Sequence, residues 1–473
     1  MTSMRRHTLV HSDGRRLYVY GELRGELPPA EPTQAPPALH LRRDPLTGGW
    51  VAVSPARNTR PQTGHADAEP DAEPDAEPDP VPDAEADPVP DAEADPDPDP
   101  DADPVPDADP DPDDVAHAGP APARPACPLC PGGPEVPFSY EAAVFENRFP
   151  SFMAHPPAPP FPGWAGGVDV LQTAPSKGRC EVVLYTEEHD GSLATLSPEQ
   201  VCRVVAVWRD RSIDLWSDPD HVVVLVFENR GEAVGATLSH PHGQIYAFTH
   251  LPRMFRERVD AGTRHREATG RCLGCDLVTA DDEATERVVA KNDSFVVATP
   301  FAARWPYEIH VRARRHGVRR LGDLGTGEQL DLAQALRDVV LRYDGLFGFP
   351  LPYMMVAHES PGVPGPAGRG PDPDWHLSFE FFPPHRSPTK LKVRASVETA
   401  TGIFINDTLP ESSAAALAAV EVEHSRWPDR CVADIFTGGG LADRPCHPAS
   451  PPTDRAADRA ERADDHDQKR TTT

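Results

Sequence analysis

One order of elements occurs twice along this chain, and it restricts the fold more than any single motif does. A strand-like run, CEVVLYTEEH (180–189), precedes a helix that opens at Ser197 and Pro198. Proline suits a first helical position because its φ is already helical and its missing N–H would be unpaired there anyway. Val201, Val204, Val205, Trp208 and Leu215 then recur at helical spacing. A strand HVVVLVFEN (221–229), a glycine-bearing loop and a strand GQIYAF close the unit. The order returns as YEIHVRARRH (307–316) and a helix within 327–347 that puts Leu330, Ala333, Leu336, Val340 and Tyr343 on one face. PYMMVAH (352–358), a Gly/Pro-rich loop over 361–373 and WHLSFEFF (375–382) follow. Repetition of this order predicts an α+β fold made of a duplicated unit, each copy a largely antiparallel sheet flanked by helices.

Part of the chain cannot join such a core. Residues 66–114 hold 22 acids, 14 prolines and no basic residue, and they account for most of the net charge of −29. Low apolar content and self-repulsion predict a disordered, extended insert over 65–123, looping into solvent. The tail, 441–473, is similarly polar. The foldable remainder divides into 1–64 as the N-terminal part of the first half, 124–270 as the first half with the active site, and 271–440 as the second half. The start of the chain has no signal-type apolar stretch, and no run of about 18 apolar residues occurs anywhere, which predicts a cytoplasmic protein without a membrane span. No basic stripe recommends nucleic acid as a partner.

The chemistry concentrates in HPHGQ, residues 240–244, where irregular backbone turns into strand. In extended backbone, residues two apart point to the same side, about 7 Å apart. If a metal holds His240, its neighbour His242 is aimed at a fixed point, with Pro241 limiting the backbone between them. CPLC places Cys127 and Cys130 at ligand spacing, and His189 and His240 would complete the tetrahedral N/S set that zinc favours. A CxxC pair can also be a buried thiol pair or a redox motif, so spacing alone leaves those readings open. His242 with one ring nitrogen held by a backbone carbonyl is suited to attack phosphorus, which divides a difficult transfer into two easier steps. Gln244 could donate to a phosphoryl oxygen as charge builds there. The second unit carries DWHLS where the first carries HPHGQ, which predicts one reactive site per duplicated pair. Cys272 and Cys275 (CLGC) have the CxxC spacing without evident histidine partners, and are expected to be structural thiols.

Taken together, RRDPLTGGWVAVSPARNTRP (42–61), CPLC, VFENRF (144–149), YTEEH (185–189), FENRGEAVGATLSHPHGQIYA (227–247), PFAARWPYEI (300–309), RYDGLF (342–347) and FEFFPP (379–384) resemble the blocks of the galactose-1-phosphate uridylyltransferases, a branch of the histidine-triad superfamily. The resemblance covers nearly all of the foldable chain. It implies transfer of a uridylyl group from UDP-glucose to galactose 1-phosphate, in ping-pong fashion through a uridylyl-histidine at His242. It also implies zinc at Cys127, Cys130, His189 and His240. Arg57 and Arg60 fall on nucleotide-sugar contacts and Asn147 on the block that holds uridine, while Asn229, Gly235, Ala236, Thr237 and Gln244 surround the phosphates. Thr237 stands where a serine is more familiar, which keeps the hydroxyl. Guanidinium groups and backbone amides suit a diphosphate on chemical grounds as well.

A homodimer is implied too, its partner reaching the site through a segment like TKLKVRASVETATG (389–402), with Lys392, Val393, Val397 and Glu398 as contact positions and Ser396 where a glycine is usual. A second metal, held in some relatives by a glutamate and three histidines, is expected to be absent. His358 matches one ligand, Glu257 only approximately another, and Ser378 and Glu380 replace two histidines. Two other readings compete: a nucleotide phosphorylase or hydrolase of the same superfamily, and a zinc scaffold without catalysis. SPARNTRP with VFENRF favours a UDP-sugar over the first, and intact His242 and Gln244 oppose the second. Deleting 66–114 is expected to leave the transfer rate of the full-length enzyme little changed in a product assay; a large loss would give the insert a functional role.

Overall fold

Both copies of the repeated order fold as a helix laid against four antiparallel strands, in a computed structural model that describes residues 4–28, 39–59, 127–160, 163–164, 170–365, 368–369, 373–423, 425–429, 431 and 435–437. Arg60, the insert 65–123 and the tail 441–473 lie outside the described residues. The first copy comprises strands β1 (Ala142–Glu146), β2 (Gly178–Leu184), β3 (Val223–Arg230) and β4 (His242–Phe248). The second comprises β5 (Phe295–Ala298), β6 (Ile309–Ala313), β7 (Tyr353–His358) and β8 (Ser378–Phe382). In chain order the longer helices are α1 (Pro198–Trp216), α2 (Arg253–Thr269), α3 (Leu273–Glu283) and α4 (Thr326–Phe347).

All eight strands belong to one 12-stranded sheet, joined where β3 pairs β7 in antiparallel register. Outward from that seam the first copy runs β3, β4, β2, β1 and the second runs β7, β8, β6, β5, so the two half-sheets have the same order. The hairpin Met4–Val10/Arg16–Tyr20 extends the sheet beyond β1, and Val288–Lys291 extends it beyond β5.

Local chemistry explains the helix start. The Ser197 hydroxyl accepts from the Gln200 N–H at 3.2 Å, and the Gln200 side chain accepts from the Ser197 N–H at 2.8 Å, a reciprocal cap that satisfies two otherwise unpaired donors. Val201, Val204, Val205, Trp208 and Leu215 are buried, as their spacing requires. They share one core with Leu332, Leu336, Val339 and Val340 of α4 and with Phe379 and Phe381 of β8, so the hydrophobic interior is continuous across the halves. Trp208 stacks near Phe379 with centroids 6.0 Å apart.

An ion pair with no solvent exposure on either side anchors α1 to the sheet. Arg211 donates two bonds to Glu181 of β2, at 2.9 and 2.8 Å, and its guanidinium lies 3.8 Å from the Tyr18 ring centroid. Helical periodicity gives no warning of a buried arginine; only the opposing Glu181 makes it tolerable. A disulfide, Cys202–Cys431, ties α1 to the segment that leads to Ile435–Thr437, which pairs in parallel with Met4–Val10. No motif in the sequence pairs those two cysteines.

Helix α2 reaches both copies. Phe255 packs with Val223 of β3 and with Trp375, its ring parallel to the indole at 6.1 Å, and Arg258 donates to Glu380 of β8 at 2.7 Å. Replacing Arg211 by Met should lower stability by about 3–5 kcal/mol in urea unfolding, because Glu181 is left buried and unpaired. The double replacement with Glu181→Met should recover most of that loss.

Candidate functional site

Pairing of β4 with β2 begins at His242 opposite Leu184, and the Tyr185 N–H donates to Pro241 O at 3.2 Å, so the extended course already includes the residue between the two histidines. His240 is buried and His242 is half-exposed. The His240 Nε2–H donates to Thr186 O at 2.9 Å, which leaves Nδ1 facing the Cys130 sulfur at 3.6 Å. His189 Nδ1 lies 3.3 Å from the same sulfur, and its Nε2 lies 3.1 Å from the Ser239 hydroxyl. The ligand atoms of Cys127, Cys130, His189 and His240 all fall within 4.8 Å of one another.

The electrostatics of this quartet fit a divalent cation. Burial pushes the His240 imidazole down to about 4, which keeps its lone pair available near neutral pH. Burial, and next the neighbouring Cys127, pushes the Cys130 thiol up to about 11. A bound dication would reverse the latter, since ligating thiols must be deprotonated. Outer bonds of the kind His240 makes to Thr186 fix a ligand's tautomer and ring orientation.

His242 is held by its anchored neighbour. Its Nδ1–H donates to the His240 carbonyl at 2.7 Å, the tautomer whose Nε2 carries the lone pair. A cavity of about 580 Å³ opens beside it, with Asn229, Gly235, Ala236, Thr237 and His242 among the lining residues. Gly235 has φ +77°, in the left-handed region that favours glycine, and ends the short turn Glu232–Val234. Tyr185, Asp190 and Glu228 line the cavity as well, and sequence reasoning missed all three. Glu228 accepts from the Tyr185 hydroxyl at 2.8 Å and from the Tyr353 hydroxyl at 2.7 Å; burial raises its carboxyl above the usual range while these two donors oppose the rise.

Period-two geometry puts His242, Gln244 and Tyr246 on one face of β4, while Gly243, Ile245 and Ala247 are buried behind it. The Gln244 Oε1 is buried without a hydrogen-bond partner among the described residues, so one polar atom of its amide awaits a donor. Arg57 sits at the far end of the row, donating to the Tyr246 hydroxyl at 3.3 Å and to Ser151 at 3.1 Å. Asn147 is buried, and its Oδ1 accepts from the Phe149 N–H at 2.8 Å, capping its own turn. Gln244, Arg57 and Asn147 are not among the residues that line the cavity beside His242.

The segment 389–402 divides its four singled-out residues into two pairs. Lys392 and Glu398 are buried and bond one another at 2.6 Å, so their side chains serve the segment's own fold, whereas Val393 and Val397 are 70% and 52% exposed. Around His358, Ser378 and Glu380, the Glu380 carboxylate takes two bonds from Arg258, at 2.7 and 2.9 Å, and Arg304 lies 3.4 Å away. Glu308 and His310 converge on Glu380 there, but the two guanidinium groups already balance these acids. Glu257 is exposed and pairs with Arg253.

The expectation that Cys272 and Cys275 lack histidine partners is corrected by the fold. His316 and His376 converge on them, the four ligand atoms lying within 4.8 Å of one another. The signal was the duplication itself. In each copy a CxxC precedes the half-sheet, one histidine follows the second strand (His189 after Leu184, His316 after Ala313), and another stands two residues before the fourth strand (His240 before His242, His376 before Ser378). His376 thus corresponds to His240, and Ser378 occupies the place of His242.

A family model described as galactose-1-phosphate uridyl transferase, N-terminal domain, matches residues 97–252, and its C-terminal-domain counterpart matches 254–429. The galactose-1-phosphate uridylyltransferase of Thermotoga maritima is 39% identical over 308 residues, covering 64% of this chain and 92% of that protein. The Streptomyces lividans protein of the same name is 33% identical over 321 residues, covering 64% of this chain and 82% of its own. A solved uridylyltransferase structure superposes with TM-score 0.60 at 26% identity, covering 80% of this chain and 98% of that one. An Arabidopsis thaliana ADP-glucose phosphorylase shares the fold, with TM-score 0.51 at 22% identity over 81% of this chain and all of that one.

The β-carbon of an alanine at position 243 would lie 2.3 Å from the Tyr185 hydroxyl and 3.2 Å from Phe227 O. Gly243→Ala is therefore expected to cost about 1–3 kcal/mol in denaturant unfolding and to slow turnover by displacing β4 beside His242. Wild-type stability in this variant would show that Tyr185 does not set the strand's position.

Proposed function

The chain belongs to the galactose-1-phosphate uridylyltransferase family, and from that membership we propose that it moves the uridylyl group of UDP-glucose to galactose 1-phosphate. The observation that best supports the chemistry is the His242 imidazole on the cavity wall, its Nδ1–H given to the His240 carbonyl and its Nε2 carrying the lone pair. Nε2 attacks the α-phosphorus of UDP-glucose; the N–P bond forms as the P–O bond to glucose 1-phosphate breaks. A phosphate oxygen of galactose 1-phosphate then attacks the uridylyl-histidine, releasing UDP-galactose and restoring the imidazole. In the first step the leaving group is a phosphate oxygen of low basicity; in the second it is the imidazole, which departs neutral because Nδ1 keeps its proton toward the His240 carbonyl, so neither step needs a strong acid. Gln244 donates its amide to an oxygen on the reacting phosphorus, and backbone at Gly235, Ala236 and Thr237 lies against the diphosphate. Asn229 lies with them, while Arg57 and Asn147 take the nucleotide end and Arg60 follows Arg57 in sequence.

Cys127, Cys130, His189 and His240 would hold zinc. Bound there with four protein ligands it supplies rigidity rather than Lewis acid chemistry, pinning His240 and so the carbonyl that orients His242. We assign the chemistry to 124–270, with 1–64 completing that half and 271–440 supporting it. Exposed Leu391, Val393, Val397 and Ile403 in and beside 389–402 support a face that meets a second copy. No helix among the described residues is long and apolar enough to cross a membrane, and a cytoplasmic enzyme acting on small phosphorylated sugars, without nucleic acid, fits these features.

Mass spectrometry of the protein incubated with UDP-glucose alone should show a uridylyl adduct on the peptide carrying His242. The His242→Gly variant should show none and should lose transfer by several orders of magnitude while keeping its metal. Cys127→Ser or His240→Asn should lower zinc content and thermal stability, with a smaller loss of rate. A product of UDP from UDP-glucose and inorganic phosphate, with no UDP-galactose from galactose 1-phosphate, would favour a phosphorylase instead.

A further inference from the structure

Cys272, Cys275, His316 and His376 come from three segments: the cap and first turn of α3, the loop after β6, and the residue two places before β8. Nothing in the chemistry assigned to His242 uses them. The Cys275 sulfur lies 3.4 Å from His316 Nδ1 and 3.4 Å from His376 Nε2. We propose that these four residues form a second divalent metal centre, a closed four-ligand N₂S₂ site of the zinc class, that is structural and independent of the transfer reaction.

Two features beyond proximity support a built site. The His376 Nδ1–H donates to Ala313 O at 2.8 Å, which leaves Nε2 with the lone pair and turns it toward the sulfur. In the first quartet His240 is oriented the opposite way, Nε2 to the carbonyl and Nδ1 toward sulfur. Each half thus uses a backbone carbonyl to choose the ligating nitrogen, by its own geometry. The second feature is the helical turn between the cysteines. A β-carbon at Gly274 would lie 2.4 Å from His376 Cδ2, so the imidazole packs directly on the CLGC turn, and any side chain there would push it off.

The surrounding charges leave the thiols as the groups that need a cation. Asp276 bonds His265 at 2.7 Å and is paired with Arg271, and Asp374 bonds Arg266 at 2.5 Å, so the nearby carboxylates already have partners. Four protein ligands leave no open position for a reacting group, the arrangement of structural rather than catalytic zinc. The position equivalent to His242 is the buried Ser378, which offers no imidazole to a substrate. What the ion would do follows from what its ligands join. Cys272 is the residue before α3, and α3 packs Val278 against Val296 and Ala298 of β5, so the metal ties the helical connection between the halves to the second half-sheet.

The test is metal content of the full-length protein by inductively coupled plasma mass spectrometry, with chelator release followed over time. Wild type should carry about two zinc equivalents per chain. The double variant Cys272→Ser/Cys275→Ser should carry one and unfold at a lower temperature, while its uridylyl labelling with UDP-glucose persists. Should that variant fail to fold, His316→Ala removes an exposed ligand with little loss of packing; one equivalent should then leave to a chelator at least tenfold faster than in wild type. One equivalent in wild type, or undiminished content and release in both variants, would overturn the proposal. Loss of both equivalents from the double variant would overturn the independence of the two centres. Failure of labelling in wild type would count against the reaction at His242 and not against this centre.

Discussion

The pairing of β3 with β7 is the constraint on which the rest depends. It splices two half-sheets into one, with Glu228 opposite Met355 in register, and Glu228 accepts hydrogen bonds from a tyrosine of each half. A carboxyl buried at that seam would be costly without both donors. The cavity beside His242 opens on the same seam, with Asp190 and Thr237 from the first copy and Asp344 and Pro350 from the second among its lining residues. The cavity has no complete wall without the second copy, which gives a physical reason for keeping a copy that has Ser378 in the place of His242.

Duplication also explains how one scaffold can carry two Cys/His clusters and yet set an imidazole at the head of the fourth strand in one copy alone. Each copy sets a histidine two residues before its fourth strand, so that the next residue on the same side is presented at the strand's start. In one copy that residue is His242, half-exposed at a cavity; in the other it is Ser378, buried. His240 does more than face the Cys130 sulfur. Its carbonyl is the acceptor that selects the His242 tautomer, so the cysteine–histidine cluster and the imidazole at the cavity are coupled through one hydrogen bond.

Much of this could be read along the chain because it is local. The Ser197 cap, the apolar faces of α1 and α4, the alternation of β4 and the spacing of HPHGQ each arise from residues within a few positions of one another. The features that were missed are long-range. Arg211 finds Glu181 thirty residues away, and Cys202 finds Cys431 across a separation of 229. His316 and His376 meet CLGC only after β6 and β8 are in register. Lys392 and Glu398 fit contact positions by motif, yet the fold turns their side chains onto each other.

The sequence by itself determined the duplicated α+β order and the placing of His242, Gln244 and Tyr246 on one side of β4, because period and spacing report which side chains share a face; the gathering of Cys127, Cys130, His189 and His240 was legible through the resemblance of its motifs. Tertiary structure alone decided the second quartet, the buried Arg211–Glu181 pair, the Glu228 bridge and the cavity at the seam. Those depend on which distant segments the sheet brings side by side, and strand register is settled by collective packing of the whole core rather than by any one stretch of chain.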